Sequence, residues 1–370
     1  MTVCEPCLRR SYLIAHLAPR IAGLLDRPRS RPARLLELDE EALIDQVAGP
    51  SGADAAKEFI AQFDPDQALD TLVDTHITAV CRHAAQYPAR LMQLGDPPAV
   101  LYCTGPAERL AELTAEPAAT VVGTRKPSPY GQAVAHELGR GLGAAGITVV
   151  SGLALGIDAL AHEGALAGRG RPIAVLACGA NLPYPARHRA LYRRARDAGI
   201  VLSELPPGSR PFRWSFPARN RIMAALGEVT VVVEAADPSG SLLTAGFALD
   251  LGRTVGVVPG QVTTRVAEGS NRLLREGAAA ILSTKDVLDE MFGADQGPRR
   301  PCEGARARVL ALEPPLRAVL DGVEAGEGVG EIAARTGLSA PAVRAALGEL
   351  ELEGLIVSGG VGCYQRAVAW

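Results

Sequence analysis

A short segment of the chain, residues 211–221 (PFRWSFPARNR), alternates aromatic and cationic side chains. Phe212, Trp214 and Phe216 occupy every second position, in a chain with only seven Tyr, six Phe and two Trp. The arginines in and beside the segment are Arg210, Arg213, Arg219 and Arg221. Aromatic faces stack on unpaired bases and cations neutralise the phosphate backbone, which is the chemistry that binds single-stranded nucleic acid. The alternative is an aromatic plug packed beneath a helix, with the arginine ends in solvent.

Residues suited to holding phosphate follow several apolar runs that we predict to be strands. They include Gly123-Thr124-Arg125, Ser151-Gly152 and the loop from Ser239-Gly240-Ser241 to Thr244. In open α/β sheets, ligands bind beyond the carboxyl ends of the strands, where hydroxyls and free amides can reach phosphate oxygens. These loops predict a phosphate-type site on one rim of a sheet. The alternative is that glycine and serine simply form tight turns there.

Three motifs suggest other chemistry, but each lacks a feature that the chemistry requires. GLGAAG (141–146) matches a dinucleotide-binding string, but it closes a predicted helix instead of opening one. SGSLLTAG (239–246) lacks the lysine of a P-loop. Ser151, Asp158 and His162 could form a hydrolytic triad, although Ser151 has no nucleophile-elbow context. We therefore expect no cofactor and no catalytic residues.

The seven cysteines are an odd number without the spacing of a disulfide framework. Only Cys4 and Cys7 are spaced as metal ligands, and a structural zinc site needs four ligands. No second pair occurs at the spacing of a zinc ribbon or finger. The sequence therefore predicts no metal site and assigns this pair no role.

The middle of the chain alternates short β-branched runs with Ala-rich stretches of helical length. The predicted strands are 119–123, 147–151, 172–178, 200–204, 229–235 and 254–260. The predicted helices between and after them are 130–145, 156–167, 186–198, 218–227 and 241–252. This alternation is typical of a doubly wound, mostly parallel sheet with helices on both faces, where strands are continuously apolar. We predict an α/β, extended Rossmann-like domain over residues 86–291.

Smaller regions flank this domain. Residues 1–85 resemble a set of short amphipathic helices without a strong strand signal. Residues 292–309 are rich in Gly, Pro and charge, which predicts a linker. Residues 310–370 predict a helix, a turn at Gly337, a second helix and a hairpin, as in a winged helix. Residues 313–370 contain four Arg and eight acidic residues. This acidic excess favours a protein-interaction or dimer-modulating role, and duplex DNA binding is the alternative.

The net charge of −3 is a sum over regions of opposite sign. Residues 1–118 carry 11 basic and 17 acidic side chains, residues 119–285 carry 19 and 11, and residues 286–370 carry 8 and 13. The basic middle favours an anionic partner, although the overall charge alone argues against a nucleic-acid binder. No apolar run reaches the roughly 18 residues of a membrane span, and the N-terminus lacks a signal-peptide stretch. We expect a cytoplasmic protein with no membrane partner.

Ten ordered motifs between residues 87 and 290 resemble the bacterial DNA-processing protein A family, known as DprA or Smf. They include VVGTRKPSPYG (121–131), SGLALGIDALAHEGAL (151–166), FPARNRIMAAL (216–226) and SGSLLTA (239–245). The resemblance implies a Rossmann-like DNA-binding domain, a helical SAM-like domain over 1–85 and a winged-helix tail. It also implies a non-catalytic homodimer that protects incoming single-stranded DNA and loads the recombinase RecA onto it in natural transformation.

Matched motif by motif, the resemblance assigns the DNA site to twelve residues. They are Arg125, Ser151, Gly152, Arg213, Phe216, Arg219, Asn220, Arg221, Ser239, Gly240, Ser241 and Thr244. Asp158, His162 and Glu234 also match family positions, and we expect them to be structural or to shape the pocket. The sequence departs from the family at AALGE (224–228), where a small turn with Gly and Ser is usual, and we expect that difference to be local.

Two other functions remain open from the residues alone. The first is hydrolysis of nucleoside monophosphates, since similar Rossmann-like phosphoribohydrolases carry a Gly-rich phosphate loop and an acid. Asp158 or Glu234 would supply that acid. The second is a duplex-binding regulator that acts through the tail.

Overall fold

The computed structural model describes residues 2–25, 35–294, 312–352, 355–360 and 363–366. The chain forms two compact units, Met1–Gly297 and Pro298–Trp370. The N-terminal helices and the sheet thus share one unit, with no division at the predicted boundary after residue 85. Most of the predicted linker, from residue 295 to residue 309, lies outside the described residues.

The larger unit contains one sheet with helices on both sides. Its strands are β1 Ile77–Cys81, β2 Val100–Thr104, β3 Ala118–Val122, β4 Thr148–Ser151, β5 Ile173–Val175, β6 Ile200–Ser203, β7 Val229–Val232, β8 Thr254–Val257 and β9 Ala279–Ala280. The helices are α1 Glu5–Leu25, α2 Glu40–Ala48, α3 Pro50–Ala61, α4 Pro65–Asp74, α5 Ala107–Ala115, α6 Pro129–Ala144, α7 Ile157–Ala167, α8 Arg189–Ala198, α9 Ser215–Leu226, α10 Gly240–Asp250, α11 Glu268–Arg275 and α12 Thr284–Phe292. All six predicted strands are present, within a few residues of their expected bounds.

The strand order is β1-β2-β6-β5-β4-β3-β7-β8-β9. From β6 to β9 in that order all neighbours are parallel, whereas β1 and β2 are antiparallel to each other and β2 is antiparallel to β6. The chain proceeds outward from β3 to β6, then crosses back and proceeds outward from β7 in the other direction. A crevice opens at the carboxyl ends of the strands at such a reversal. The prediction of a doubly wound α/β fold is confirmed.

The strands β1 and β2 add an antiparallel edge that the sequence did not reveal. β1 falls inside the region expected to be helical, and it pairs with β2 from Ile77 opposite Thr104 to Cys81 opposite Val100. A run of five residues is too short for periodicity to distinguish a strand from a buried turn of helix. Its pairing partner, which lies beyond the next turn of chain, determines its conformation. The N-terminal region therefore contributes a strand to the main sheet.

The glycines of GLGAAG serve helix packing. Gly143 lies in the last turn of α6, where an added Cβ would stand 2.6 Å from the carbonyl oxygen of Ala165 in α7. Gly146 follows the helix with φ of +77°. The motif closes a helix as predicted, and its small residues let α6 and α7 approach closely.

Trp214 anchors the N-terminal helices to the sheet. Its indole is 3% exposed and packs in a cluster with Leu13 and Leu17 of α1. The indole Nε1 donates a hydrogen bond to the carbonyl of Ala18 at 3.0 Å, and Phe212 packs partly buried against the same cluster. Two of the three alternating aromatics thus form the plug beneath a helix that was the alternative interpretation.

Arg221 lies at the centre of a buried ionic cluster. Its guanidinium makes two hydrogen bonds to the Glu204 carboxylate, at 2.9 and 2.8 Å, and its Nε is 2.7 Å from Oδ2 of Asp96. Burial raises the pKa of Asp96 to about 6, against the opposing effect of the Arg221 charge. One arginine joins α9, the end of β6 and the loop before β2. Arg221 is therefore a structural centre of the fold and is shielded from solvent.

The described residues of the smaller unit form three helices and a hairpin. They are α13 Pro314–Glu324, α14 Val329–Thr336, α15 Ala340–Leu352 and the antiparallel strands β10 Ile356–Gly360 and β11 Cys363–Arg366. Gly337 ends α14 with φ of +72°, the left-handed conformation that glycine adopts readily at a helix end. Val319, Ile332, Val343 and Leu347 form its core. The predicted winged helix is confirmed.

In the described part of the chain, no helix combines the length and apolar character needed to cross a membrane.

We expect Arg221→Met to lower the free energy of unfolding by about 3–5 kcal/mol, because it leaves two buried carboxylates without a counter-charge. Arg213→Met, an exposed change in the same segment, should stay within about 0.5 kcal/mol of the parent. Urea unfolding followed by circular dichroism measures both values. Equal losses in the two variants would contradict the structural role of Arg221.

Candidate functional site

A cleft of about 430 Å³ lies at the reversal point between β3 and β7. It is bounded by the loops after β3, β4 and β7 and by residues in and next to α9 and α10. Most of the predicted site residues meet here. Those lining the cleft are Arg125, Arg213, Phe216, Arg219, Asn220, Ser239, Gly240, Ser241 and Thr244.

Phe216 forms the aromatic wall of the cleft. The Arg125 guanidinium carbon lies 5.2 Å from the centre of the Phe216 ring, within cation–π range. The ring centroids of Tyr184 and Phe216 lie 5.9 Å apart, and the two ring planes are inclined by 52°. Arg125 and Tyr184 are both exposed, and Phe216 is partly exposed. The three side chains together offer a cation and two aromatic surfaces to a ligand.

The N-terminus of α10 faces the cleft from the other side. Ser239 caps the helix, its Oγ accepting a hydrogen bond from the Ser241 amide at 3.3 Å and lying 2.7 Å from the Ser241 Oγ. Asn220 donates to the carbonyl of the exposed Gly240 at 3.1 Å, which fixes the loop on α9. The first amides of a helix and its dipole favour bound anions. The capped N-terminus thus presents a phosphate-type surface next to the Phe216 wall.

Arg219 forms the floor of the cleft and is 5% exposed. Its guanidinium donates to the carbonyl of Gly152 at 2.5 Å and to that of Val175, and lies 3.6 Å from Oδ2 of Asp158. A Cβ at Gly152 would stand 1.8 Å from the Arg219 guanidinium nitrogen, so a larger residue there would require the guanidinium to move from its hydrogen bonds. Burial lowers the pKa of Arg219, while the Asp158 carboxylate acts in the opposite direction. Arg219 thereby ties the ends of β4 and β5 to α7.

The cleft carries an excess of positive charge. Three arginines line it, and Asp158 is the single carboxylate among the lining residues. Burial raises the pKa of Asp158, and the charge of Arg219 and the amide of Gly152, at 3.2 Å from Oδ2, act against that rise. Asp158 faces the buried Arg219, whereas Arg125 and Arg213 are exposed. The site is therefore suited to an anion that also offers flat rings.

The structure places the remaining three predicted residues differently. Gly152 lines a smaller adjoining recess, which shares Arg125, Phe216 and Arg219 with the cleft. Ser151 is fully buried, and its Oγ donates to the carbonyl of Val121 at 2.7 Å, which links β4 to β3. Arg221 lies in the ionic cluster described above. Ser151 and Arg221 therefore support the site without lining it.

The residues considered for hydrolysis are engaged in structural contacts. The Glu234 carboxylate accepts hydrogen bonds from the amide and hydroxyl of Ser128, at 2.9 and 2.5 Å, at the start of α6. Burial lowers the pKa of His162 to about 4, so its imidazole is neutral near pH 7. With Ser151 buried and Asp158 paired to Arg219, these side chains do not form a nucleophile–base arrangement.

Tyr184 is a site residue that the twelve predicted positions omit. It follows β5 in the loop after the predicted third strand, so its position in the sequence was a usable signal. Its contact with Phe216 depends on how that loop folds over the sheet, which periodicity does not reveal.

Within the described residues, no group of three or more His, Cys, Asp or Glu ligand atoms gathers in the cleft.

Comparison with known proteins agrees with this architecture. The model of the family described as DNA recombination-mediator protein A matches residues 78–292, and the DprA winged helix domain matches residues 304–360. Protein Smf of Synechocystis sp. is 36% identical, over 96% of this chain and 94% of its own length.

Two solved structures are similar to the chain as well. DNA processing protein A from Streptococcus pneumoniae has a TM-score of 0.61 at 29% identity, covering 79% of this chain and 99% of that one. DNA processing protein A from Helicobacter pylori, whose structure concerns its single-stranded DNA binding mode, has a TM-score of 0.52 at 30% identity, covering 58% of this chain and 95% of that one. With a family match over more than half its length, the chain belongs to the DNA recombination-mediator protein A family, the DprA/Smf proteins.

Proposed function

We propose that this chain binds single-stranded DNA in the cleft between β3 and β7, with no catalytic step. Phosphates contact Arg125, Arg213 and the N-terminus of α10, and a base stacks against Phe216. The observation that carries the proposal is the Arg125–Phe216–Tyr184 array, which stands opposite the capped helix end. Aromatic side chains that stack on bases, together with cations that contact the phosphate backbone of the nucleic acid, are the usual basis of sequence-tolerant single-strand binding. The single-strand binding of the Helicobacter pylori relative supports the same ligand.

The larger role that we propose is recombination mediation. In this role the protein acts in the cytoplasm as a homodimer, protects incoming single strands and transfers them to RecA during natural transformation. Family membership supports the recombination part of this role. We test the RecA step by measuring RecA filament nucleation on a strand already coated with single-strand-binding protein. Nucleation that does not accelerate when the chain is added would remove RecA loading from the proposal, and light scattering would show whether the chain dimerises.

Hydrolysis of nucleoside monophosphates is the alternative function. The engagement of Glu234 by Ser128 and of Asp158 by Arg219 disfavours it, because neither carboxylate is free to act as an acid. Incubation with each nucleoside monophosphate and chromatography for released base tests this directly. We expect no turnover above the rate without protein, and released base would replace the binding proposal.

Substitutions in the cleft should separate stacking from charge. Phe216→Ala should weaken binding to oligo-dT by about 1–3 kcal/mol and leave the salt dependence unchanged, because it removes a stack but no charge. Arg125→Ala should weaken binding and reduce the slope of log K against log salt by about 0.7, because one phosphate contact is lost. Fluorescence anisotropy at several salt concentrations measures both effects.

Arg140→Ala is the matched control for the arginine. Arg140 lies eleven residues into α6, away from the cleft, and is paired with Glu137. The Arg140→Ala variant should bind oligo-dT with the affinity and salt dependence of the parent protein. Affinity lost equally in Arg125→Ala and Arg140→Ala would mean that general charge, and not the cleft, determines binding.

The two units should contribute unequally to DNA binding. Residues 313–370 carry four Arg and eight acidic residues, which opposes contact with phosphates, so a chain ending at residue 312 should keep most of the single-strand affinity. Side-by-side measurement with single- and double-stranded probes tests this. Loss of all DNA binding on truncation would instead favour a duplex-binding regulator that acts through the winged helix.

A further inference from the structure

Four side chains that commonly bind metals meet far from the cleft, where the N-terminus lies against the edge of the sheet. Cys4 immediately precedes α1 and Cys7 lies in its first turn, whereas Cys81 ends β1 and His83 follows two residues later. One ligand atom from each of the four lies within 4.8 Å of every other. The sequence predicted no metal site because the second pair of ligands is more than 70 residues from the first.

The distances in this cluster match those around a single tetrahedral ion. Both Cys4 Sγ and Cys7 Sγ lie 3.4 Å from Nδ1 of His83, and Cys81 Sγ lies 3.8 Å from Cys4 Sγ. Zinc–sulfur bonds of about 2.3 Å and zinc–nitrogen bonds of about 2.0–2.1 Å place sulfurs about 3.8 Å apart and sulfur and nitrogen about 3.5 Å apart. Three of the six distances between these atoms thus agree with four ligands placed around one zinc ion, and the other three are at most 4.8 Å.

Disulfide chemistry explains the cluster less well. The cysteines are free, and the sulfurs of Cys4 and Cys81 are nearly twice as far apart as the about 2.05 Å of a disulfide bond. A disulfide would also use two of the three thiols and give His83 no part. A set of three thiols and one imidazole around a common point is the donor set of structural zinc sites.

We propose that Cys4, Cys7, Cys81 and His83 bind one Zn²⁺ ion in a closed, structural Cys₃His site. Three thiolates and an imidazole complete the four ligands that zinc takes in structural sites, so no position is left for substrate. On binding, the thiol protons are released to solvent and the ion remains divalent. Cys7 and Cys81 are buried and Cys4 is partly buried, while His83 is exposed and provides the solvent-facing ligand.

The ion would fasten the start of α1 to the edge strand of the sheet. The amide of Cys81 already donates to the carbonyl of Thr2 at 2.9 Å, so the two segments are adjacent without metal. Cys7 and His83 are 76 residues apart in sequence. A crosslink over a loop of this length restricts the unfolded chain strongly, and metal binding adds directly to folding free energy. The site therefore stabilises the attachment of the N-terminal helices to the sheet.

Metal analysis of the full-length chain tests the proposal. Protein purified with reductant and supplied with Zn²⁺ should retain about one zinc ion per chain after gel filtration. Inductively coupled plasma mass spectrometry measures the zinc content. Co²⁺ in place of zinc should give thiolate-to-cobalt charge-transfer bands and the intense visible bands of tetrahedral coordination. A chelator should lower the melting temperature.

Variants at the exposed ligand distinguish the site from general thiol chemistry. His83→Ala should fold, because His83 is exposed. It should bind zinc at least about 10- to 100-fold more weakly, since removing a residue that only hydrogen-bonds to a metal ligand already weakens binding by this much. His83→Cys should restore binding, and the surface control His136→Ala should bind like the parent. Zinc content equal in His83→Ala and the parent, no cobalt–thiolate band, or a Cys4–Cys7 disulfide in reduced preparations would each overturn the proposal.

Discussion

The buried Arg219 guanidinium is the contact on which the cleft depends. It donates to strand-end carbonyls and faces Asp158, so it joins the ends of β4 and β5 to the start of α7. A buried charge of this kind is tolerated only when it is paired and hydrogen-bonded. A glycine at position 152 leaves room for the guanidinium in this position, which a larger side chain would displace. The floor of the cleft is therefore built from contacts that join two strand ends and one helix.

Two arginines two residues apart on α9 have different surroundings. Arg219 lines the cleft from below, and Arg221 lies in a cluster of two carboxylates on the other side of the helix. A spacing of two residues rotates side chains by about 200° around a helix, so the two cannot share a face. The helix thus connects the binding surface to the packing of the sheet edge. Charge density along the sequence does not reveal this difference.

The sequence was sufficient to predict the parallel sheet and the winged helix, because short, continuously apolar strands alternate with Ala-rich stretches of helical length. Nine of the residues that the family resemblance assigned to the site line the cleft, and the position of loops at strand ends independently pointed to Arg125 and to the loop that begins at Ser239. The sequence did not predict β1, whose conformation depends on a partner strand, or the inward placement of Ser151 and Arg221. Ser151 bonds to the carbonyl of Val121 on the neighbouring strand, and Arg221 pairs with Asp96 and Glu204, which are distant in sequence. The cysteine and histidine cluster was missed for the same reason. Contacts between residues far apart in the chain have no periodic signature.

Trp214 and Phe216 stand two residues apart, one buried beneath the N-terminal helices and the other open to the cleft. Substitutions in this segment can be absorbed by repacking on one side without disturbing the other. A change in length cannot be absorbed in this way. Inserting or removing one residue between them would turn Trp214 away from the N-terminal helices or Phe216 away from the cleft. The length of the segment is therefore a constraint in its own right, because an insertion or deletion between the two aromatics would displace at least one of them from its neighbours.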